Sequence, residues 1–213
     1  VAVGDCATWG GIPAMDPNPS QSQGLQFLKR QKGGFLGVDY RSKAGLPVIN
    51  IPGCPAHPDW ITQILVAIAT GRIGDITLDE FHRPQTFFKT FTQTGCTRNI
   101  HFAYKATTAE FGQRKGCLFY DLGCRGPMTH SSCNRILWNR VSSKTRAGMP
   151  CLGCTEPEFP FFDLKPGTVF KTQTVMGVPK ELPPGVKQKD YALLTVVAKD
   201  TAPPWADEDF FLV

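Results

Sequence analysis

Val48-Ile49-Asn50-Ile51-Pro52-Gly53-Cys54-Pro55, followed by Asp59-Trp60-Ile61-Thr62-Gln63-Ile64-Leu65-Val66-Ala67-Ile68-Ala69-Thr70-Gly71, is the stretch whose reading decides the fold. The first part is a short apolar run ended by Pro and Gly, which predicts a strand over Val48–Ile51 running into a cysteine loop. In the second part Trp60, Ile61, Ile64, Leu65 and Ile68 recur at helical spacing, with Asp59 able to cap the start and Gly71 to end it. A strand that ends in a ligand-bearing loop and feeds a helix is how α/β sheets present groups at their carboxyl edge. Upstream, Ala2-Val3 reads as a second strand, followed by a Gly-rich loop that holds Cys6 and Gly10-Gly11.

Downstream the composition shifts. A short acidic helix is predicted over Leu78-Asp79-Glu80-Phe81, before Arg83-Pro84. From about Phe87 regular patterning weakens and the other cysteines gather: Cys96, Cys117, Cys124, Cys133, Cys151 and Cys154. The expected organisation is an α/β domain over 1–86, a ligand-organised, loop-rich domain over 87–165 and a Pro-rich extension over 166–213. The extension contains Ala202-Pro203-Pro204-Trp205 and is expected to wrap the surface or a partner.

At 213 residues, 41% hydrophobic and 19% charged, the chain can bury a core. Its 21 Gly and 18 Pro follow no period, which points to long ordered loops. The net charge of +5 is spread over small groups such as Lys29, Arg30 and Lys32, or Arg140, Lys144 and Arg146. These read as solvated surface or as docking for an acidic or quinone-linked partner, and no nucleic-acid partner is expected. The longest apolar run, Ile64 to Ala69, falls far short of the ~20 residues that span a bilayer, and no signal-peptide pattern opens the chain. The expectation is a soluble chain that starts inside a domain, with an upstream part removed or absent.

Eight cysteines allow three chemistries. Disulfide frameworks belong to short secreted chains that lack a large core. Structural zinc favours paired C-x-x-C units, and only Cys151-Leu152-Gly153-Cys154 has that spacing. Iron–sulfur clusters take thiolates from irregular Gly- and Pro-rich loops, because the backbone must wrap an inorganic core and aim N–H groups at its sulfurs. The flanks suit that third demand: Gly53-Cys54-Pro55, Gly95-Cys96, Gly116-Cys117, Gly123-Cys124 and Pro150-Cys151. No Walker A loop, dinucleotide fingerprint or nucleophile elbow is present, so independent catalysis has no support.

Taken in order, Gly4-Asp5-Cys6-Ala7 with Gly10-Gly11-Ile12-Pro13, Ile49-Asn50-Ile51-Pro52-Gly53-Cys54-Pro55, Gly123-Cys124-Arg125-Gly126-Pro127, Cys133 with Trp138-Asn139, and Cys151-Leu152-Gly153-Cys154-Thr155-Glu156-Pro157 resemble the NiFe hydrogenase small subunit. The resemblance runs over most of the chain. It implies the C-terminal part of a flavodoxin-like domain with a proximal cluster, then a loop-rich domain with medial and distal clusters. The three clusters form an electron wire. Cys6 and Cys54 match two proximal ligands, and the family's other two come from a Cys-x-x-Cys that this sequence lacks. Cys96, Cys117 and Cys124 match three distal ligands; Cys133, Cys151 and Cys154 match three medial ones.

Two departures bear on the clusters. Gln93 stands where the best-known members have a distal His ligand, and a Gln amide oxygen binds iron less well than imidazole. The distal cluster then keeps a weak fourth ligand in Gln93, loses an iron or recruits another group; the plainer reading makes Gln93 a hydrogen-bonding neighbour. Lys144 falls where members with a three-iron medial cluster carry Pro, and 134–150 holds neither Cys nor His. A three-iron medial cluster is the first expectation and a four-iron cluster with an outside ligand the second. A nearby Lys144 ammonium would favour the reduced, more negative cluster; the plainer reading points it to water.

His57 and His130 are read as hydrogen-bonding neighbours of clusters, His82 and His101 as packing or surface residues, and none as a ligand. Trp9, Trp138, Phe159, Phe161 and Phe162 are read as sealing clusters or facing a partner. Gln93 and the run Arg146-Ala147-Gly148-Met149-Pro150 look like the uptake hydrogenases of cyanobacteria and of bacteria that scavenge trace hydrogen. The resemblance implies an electron-transfer subunit with an obligate large subunit that holds the nickel–iron centre. It also implies a quinone-linked or other acceptor, a higher oligomer of heterodimers, and a cytoplasmic place at the inner face of the membrane. The alternative is the small subunit of a hydrogen-sensing regulatory hydrogenase.

Overall fold

The computed structural model describes residues 1–160 and the backbone of two short strands beyond them, Thr174–Val175 and Val178–Pro179. The chain packs as two units, one built from Val1–Thr90 with the segment that returns from Cys154, the other from Phe91–Gly153 onward. Phe161, Phe162 and the Pro-rich extension lie outside the described residues. No described helix is long and apolar enough to cross a membrane.

The first unit is mixed α/β. Strands β1 (Ala2–Val3) and β4 (Asn50–Ile51) pair in parallel, with Ala2 opposite Asn50 and Val3 opposite Ile51. Between them lie helix α1 (Asp5–Trp9) and the antiparallel pair β2 (Phe27–Leu28) and β3 (Gln31–Lys32). The strand expected over Val48–Ile51 is shorter than predicted. The buried Gln26 side chain supplies the reason, because its Oε1 takes the Val48 N–H at 2.6 Å in place of a neighbouring strand. Trp9, Phe27 and Phe81 form one core cluster, Trp9 meeting Phe81 edge-on. Trp9 is fully buried there.

Helix α2 (Pro58–Ala69) is the predicted one, with a different cap. His57 Nδ1 accepts the Asp59 N–H at 3.2 Å, and Pro58 takes the first helical position, where its missing donor costs nothing. Gly71 follows the end at φ 71°. Trp60 and Ile64 are buried against Phe87 and Phe88, whereas Leu65, Val66 and Ile68 stay exposed. The acidic helix expected over Leu78–Phe81 does not form. The Asp79 carboxylate takes the N–H groups of Phe81 (2.9 Å) and Arg83 (2.8 Å) and pairs with Arg83 Nε at 2.7 Å. That side chain out-competes the helical ladder for its own backbone donors.

Arg83 also fixes the returning segment: its Nη1 donates to the Thr155 carbonyl at 2.8 Å and lies 3.5 Å from Glu156. Lys29 Nζ donates to the Phe159 carbonyl at 3.0 Å, and Arg30 pairs with Glu158. The Thr155-Glu156 part of the sequence motif is thus an anchor for the chain's return.

The second unit has little regular structure: α4 (Asn99–Ala103), α5 (Phe119–Leu122) and single bridges such as Thr107 with Cys117. Its core gathers Phe102, Leu118, Phe119, Tyr120 and Leu122 around three cysteines, Cys117, Cys124 and Cys151. Tyr120 turns its hydroxyl onto the Phe102 carbonyl at 2.8 Å, so the ring packs without stranding a polar group.

Candidate metal centres

Parallel pairing of β1 and β4 makes both strands leave the sheet at the same edge, shortly before Cys6 and Cys54. The two loops are then clamped. Gly4 N–H donates to the Ile51 carbonyl at 2.9 Å, Asp5 N–H to the Gly53 carbonyl at 3.2 Å, and Gly53 N–H to Asp5 Oδ1 at 2.7 Å. Gly11 closes over this edge: at φ +55° its missing Cβ would lie 3.2 Å from Cys6 Sγ. Both thiols are exposed, as ligands at the carboxyl edge of an α/β sheet would be.

In the second unit Cys96, Cys117, Cys124 and Gln93 line one cavity. Backbone N–H groups point at the sulfurs: Arg98 at Cys96 (3.4 Å), Phe119 at Cys117 (3.4 Å) and Cys151 at Cys124 (3.2 Å). Among the described residues no three His, Cys, Asp or Glu side chains converge closely enough to hold a single ion. Thiols set around a cavity suit a cluster core.

Burial pushes all three thiols up, Cys117 to about 12, because a thiolate loses water's solvation there. Without iron they hold their protons. Arg98 sits among them only 3% exposed. It donates from Nε to the Thr145 carbonyl (2.8 Å), from Nη1 to Gly116 (2.7 Å) and from Nη2 to Gln113. These partners are neutral, and among the described residues no carboxylate pairs with it. Burial lowers its pKa, and thiolate charge on the three sulfurs, once they are ionised, favours its charged form. A buried cation without a carboxylate partner needs an anion, and a thiolate-ligated cluster is one.

Three carboxamides, Gln93, Asn99 and Asn134, line the cavity, and two of them have unmet polar atoms. Gln93 is 8% exposed and Asn99 0%, and Gln93 Nε2, Asn99 Nδ2 and Asn99 Oδ1 lack hydrogen-bond partners. Each such buried atom costs about 1–3 kcal/mol unless something in the cavity meets it. The residues thus fit an iron–sulfur cluster on charge, on donors and on room.

Cys133 and Cys151 lie in the same unit. Burial lifts Cys133 to about 11 and raises Cys151 as well, while the Lys144 ammonium favours the thiolate of both. Lys144 is half-buried. Gly153 N–H points at Cys151 Sγ at 3.5 Å. Cys154 begins the segment that returns to the first unit.

The histidines are occupied by packing: His57 stacks on Trp60 at 5.0 Å, His82 meets Phe27 edge-on at 5.0 Å, and His130 lies 4.5 Å from the Phe91 ring. His57 is expected from the sequence near a cluster, and its observed role is to cap α2. Sequence reasoning passed over Arg98 and Asn99. The available signal was their place in Cys96-Thr97-Arg98-Asn99, where a cation and an amide follow a ligand directly.

The family model for the C-terminal region of NiFe/NiFeSe hydrogenase small subunits matches residues 88–164, and that of the NADH ubiquinone oxidoreductase 20 Kd subunit matches 1–68. The chain is 34% identical over 171 residues to the periplasmic [NiFe] hydrogenase small subunit of Solidesulfovibrio fructosivorans, covering 76% of this chain and 49% of that one. The chain belongs to the NiFe hydrogenase small-subunit family. The F420 non-reducing hydrogenase II small subunit of Methanosarcina mazei is 41% identical over 175 residues, covering 75% and 43%. Among solved structures, the Actinobacterial-type NiFe-hydrogenase from Ralstonia eutropha H16 matches with a TM-score of 0.66 at 31% identity, over 95% of this chain and 57% of that chain. The chain spans about half the length of these relatives. Membership of the NiFe hydrogenase small subunits implies iron–sulfur clusters.

Proposed function

We propose that this chain is the electron-transfer small subunit of a NiFe uptake hydrogenase. It would relay electrons from hydrogen oxidation in a large subunit to a quinone-linked or other acceptor. The observation that carries the reading is the cavity of the second unit, where three buried thiols, inward amides and an Arg98 without a carboxylate partner meet. Cys96, Cys117 and Cys124 would hold a distal cluster, with Gln93 as its oxygen ligand. Cys133, Cys151 and Cys154 would hold a medial three-iron cluster, and Cys6 and Cys54 would contribute to a proximal one. Such clusters supply one-electron transfer at potentials set by charge, hydrogen bonds and exposure.

The chain's own residues then divide the work. Arg98 and Lys144 compensate negative charge, the N–H groups of Arg98, Phe119, Cys151 and Gly153 spread it over the sulfurs, and Phe102, Leu118 and Phe119 exclude water. The obligate large subunit would hold the nickel–iron centre, where hydrogen is split heterolytically. Assembly as an oligomer of heterodimers in the cytoplasm, held at the inner face of the membrane through partners, belongs to the same reading. A hydrogen-sensing role gains no support from the names of the relatives.

The test is metal analysis and EPR on the chain purified without oxygen with its large subunit, oxidised and hydrogen-reduced. Roughly nine to twelve irons per chain and hydrogen-dependent signals from coupled clusters are expected. Zinc without iron would overturn the proposal.

A further inference from the structure

Asn99 opens α4 three residues after Cys96, and its carboxamide is the least satisfied polar group of the second unit. It is fully buried, it lines the cavity with Cys96, Cys117 and Cys124, and neither Nδ2 nor Oδ1 has a hydrogen-bond partner. Its neighbours are settled. Asn134 gives Nδ2 to the Thr92 carbonyl at 2.8 Å and takes the Thr145 hydroxyl on Oδ1 at 2.9 Å. Arg98 spends its guanidinium on the carbonyls of Thr145, Gly116 and Gln113. Among the described residues no protein group takes the Asn99 donor, so it is available to whatever the cavity binds. Under the distal-cluster reading, on which this inference rests, the acceptors in that space are sulfur.

We propose that Asn99 touches the distal cluster, donating Nδ2–H to one of its sulfurs and so raising its potential. A donor to sulfur steadies the more negative, reduced state in preference to the oxidised one. The role differs from that of Gln93, the other carboxamide of the cavity with an unmet polar atom, which is the candidate iron ligand through oxygen. Asn99 thereby sets how readily the outermost relay position accepts an electron without holding any iron.

The experiment is an EPR-monitored redox titration of the complex with its large subunit, comparing the unmodified chain with Asn99→Leu, Asn99→Asp and Gln93→Ala. Asn99→Leu should keep the iron content and cluster type while the reduction equilibrium of the distal cluster falls about tenfold, 59 mV for a one-electron couple. Asn99→Asp, equal in shape, should move it further in the same direction at high pH, where the buried carboxyl is ionised, has lost its donor and adds negative charge, and less at low pH, where its proton remains to donate. Gln93→Ala should instead lose an iron. An unchanged potential in both Asn99 variants, or loss of an iron in Asn99→Leu, would overturn the proposal. Absence of any distal signal in the unmodified complex would be a failure of the distal-cluster reading itself, seen before a variant is made. If Asn99→Leu does not fold, the isosteric Asn99→Asp carries the test alone.

Discussion

The two units handle their cysteines in opposite ways. In the first, Cys6 and Cys54 are exposed at the edge of a strand pair, and the core is aromatic: Trp9, Phe27 and Phe81 in one group, Trp60, Phe87 and Phe88 in another. That core would remain with both thiols removed. In the second, Cys117, Cys124 and Cys151 are themselves core residues, and helices of four or five residues hang around them. So short a helix does not stand alone in water. The first unit is a scaffold that presents its cysteines at an edge; the second is a shell built around its cysteines.

The largest effect that could break this comparison is removal of iron. Chelation should strip hydrogen-exchange protection from the amides of Arg98, Phe119 and Cys151, while those of α2 and the Ala2 and Gly4 amides bonded to β4 persist. Loss of protection in both units together would show that the first unit also depends on its ligands. Next in size is Trp60→Ala, which should cost about 3–5 kcal/mol in chemical denaturation, because the buried ring contacts both Phe87 and Phe88. Arg83→Ala should cost about 3 kcal/mol by leaving Asp79 and Glu156 without their buried partner. It should also release the 154–160 segment to limited proteolysis.

Two smaller effects sharpen the contrast. In the iron-free chain at pH 8, the Cys117 thiol, pushed from an ordinary value near 9 to about 12, should alkylate about a thousandfold more slowly than an ordinary thiol, as mass spectrometry of labelled peptides can follow. The sign also fixes a pH dependence. A thiol with a raised folded pKa contributes stability in full below about 9 and loses it as pH rises through about 12. The iron-free second unit should therefore weaken across that window, as tryptophan or tyrosine fluorescence melts would record. The smallest effect expected is from Lys144→Ala, a modest fall in the medial potential from loss of one partly exposed cation near Cys133 and Cys151.

Much of the site was legible in the chain because ligands must be cysteines and must sit in loops that Gly and Pro allow. The strand at Ala2–Val3 and the helix through Trp60 and Ile64 were legible for an equally local reason, their periodicity. Where local signals competed, the reading failed. Asp79 looked like the acidic first turn of a helix, yet its carboxylate captured the N–H groups of Phe81 and Arg83. Asp59 looked like the cap of α2, yet the preceding ring nitrogen of His57 reached the orphan donor.

By itself the sequence determined the order of the cysteines, the mixed α/β start and the resemblance to a hydrogenase small subunit, since each lies in residue identity and short spacing. Only the tertiary structure decided which thiols are buried, and that Arg98 and Asn99 face them. Burial and counter-charge are sums over segments far apart in the chain. The carbonyls that fix Arg98 come from Gln113, Gly116 and Thr145, and no spacing near Cys96 announces them.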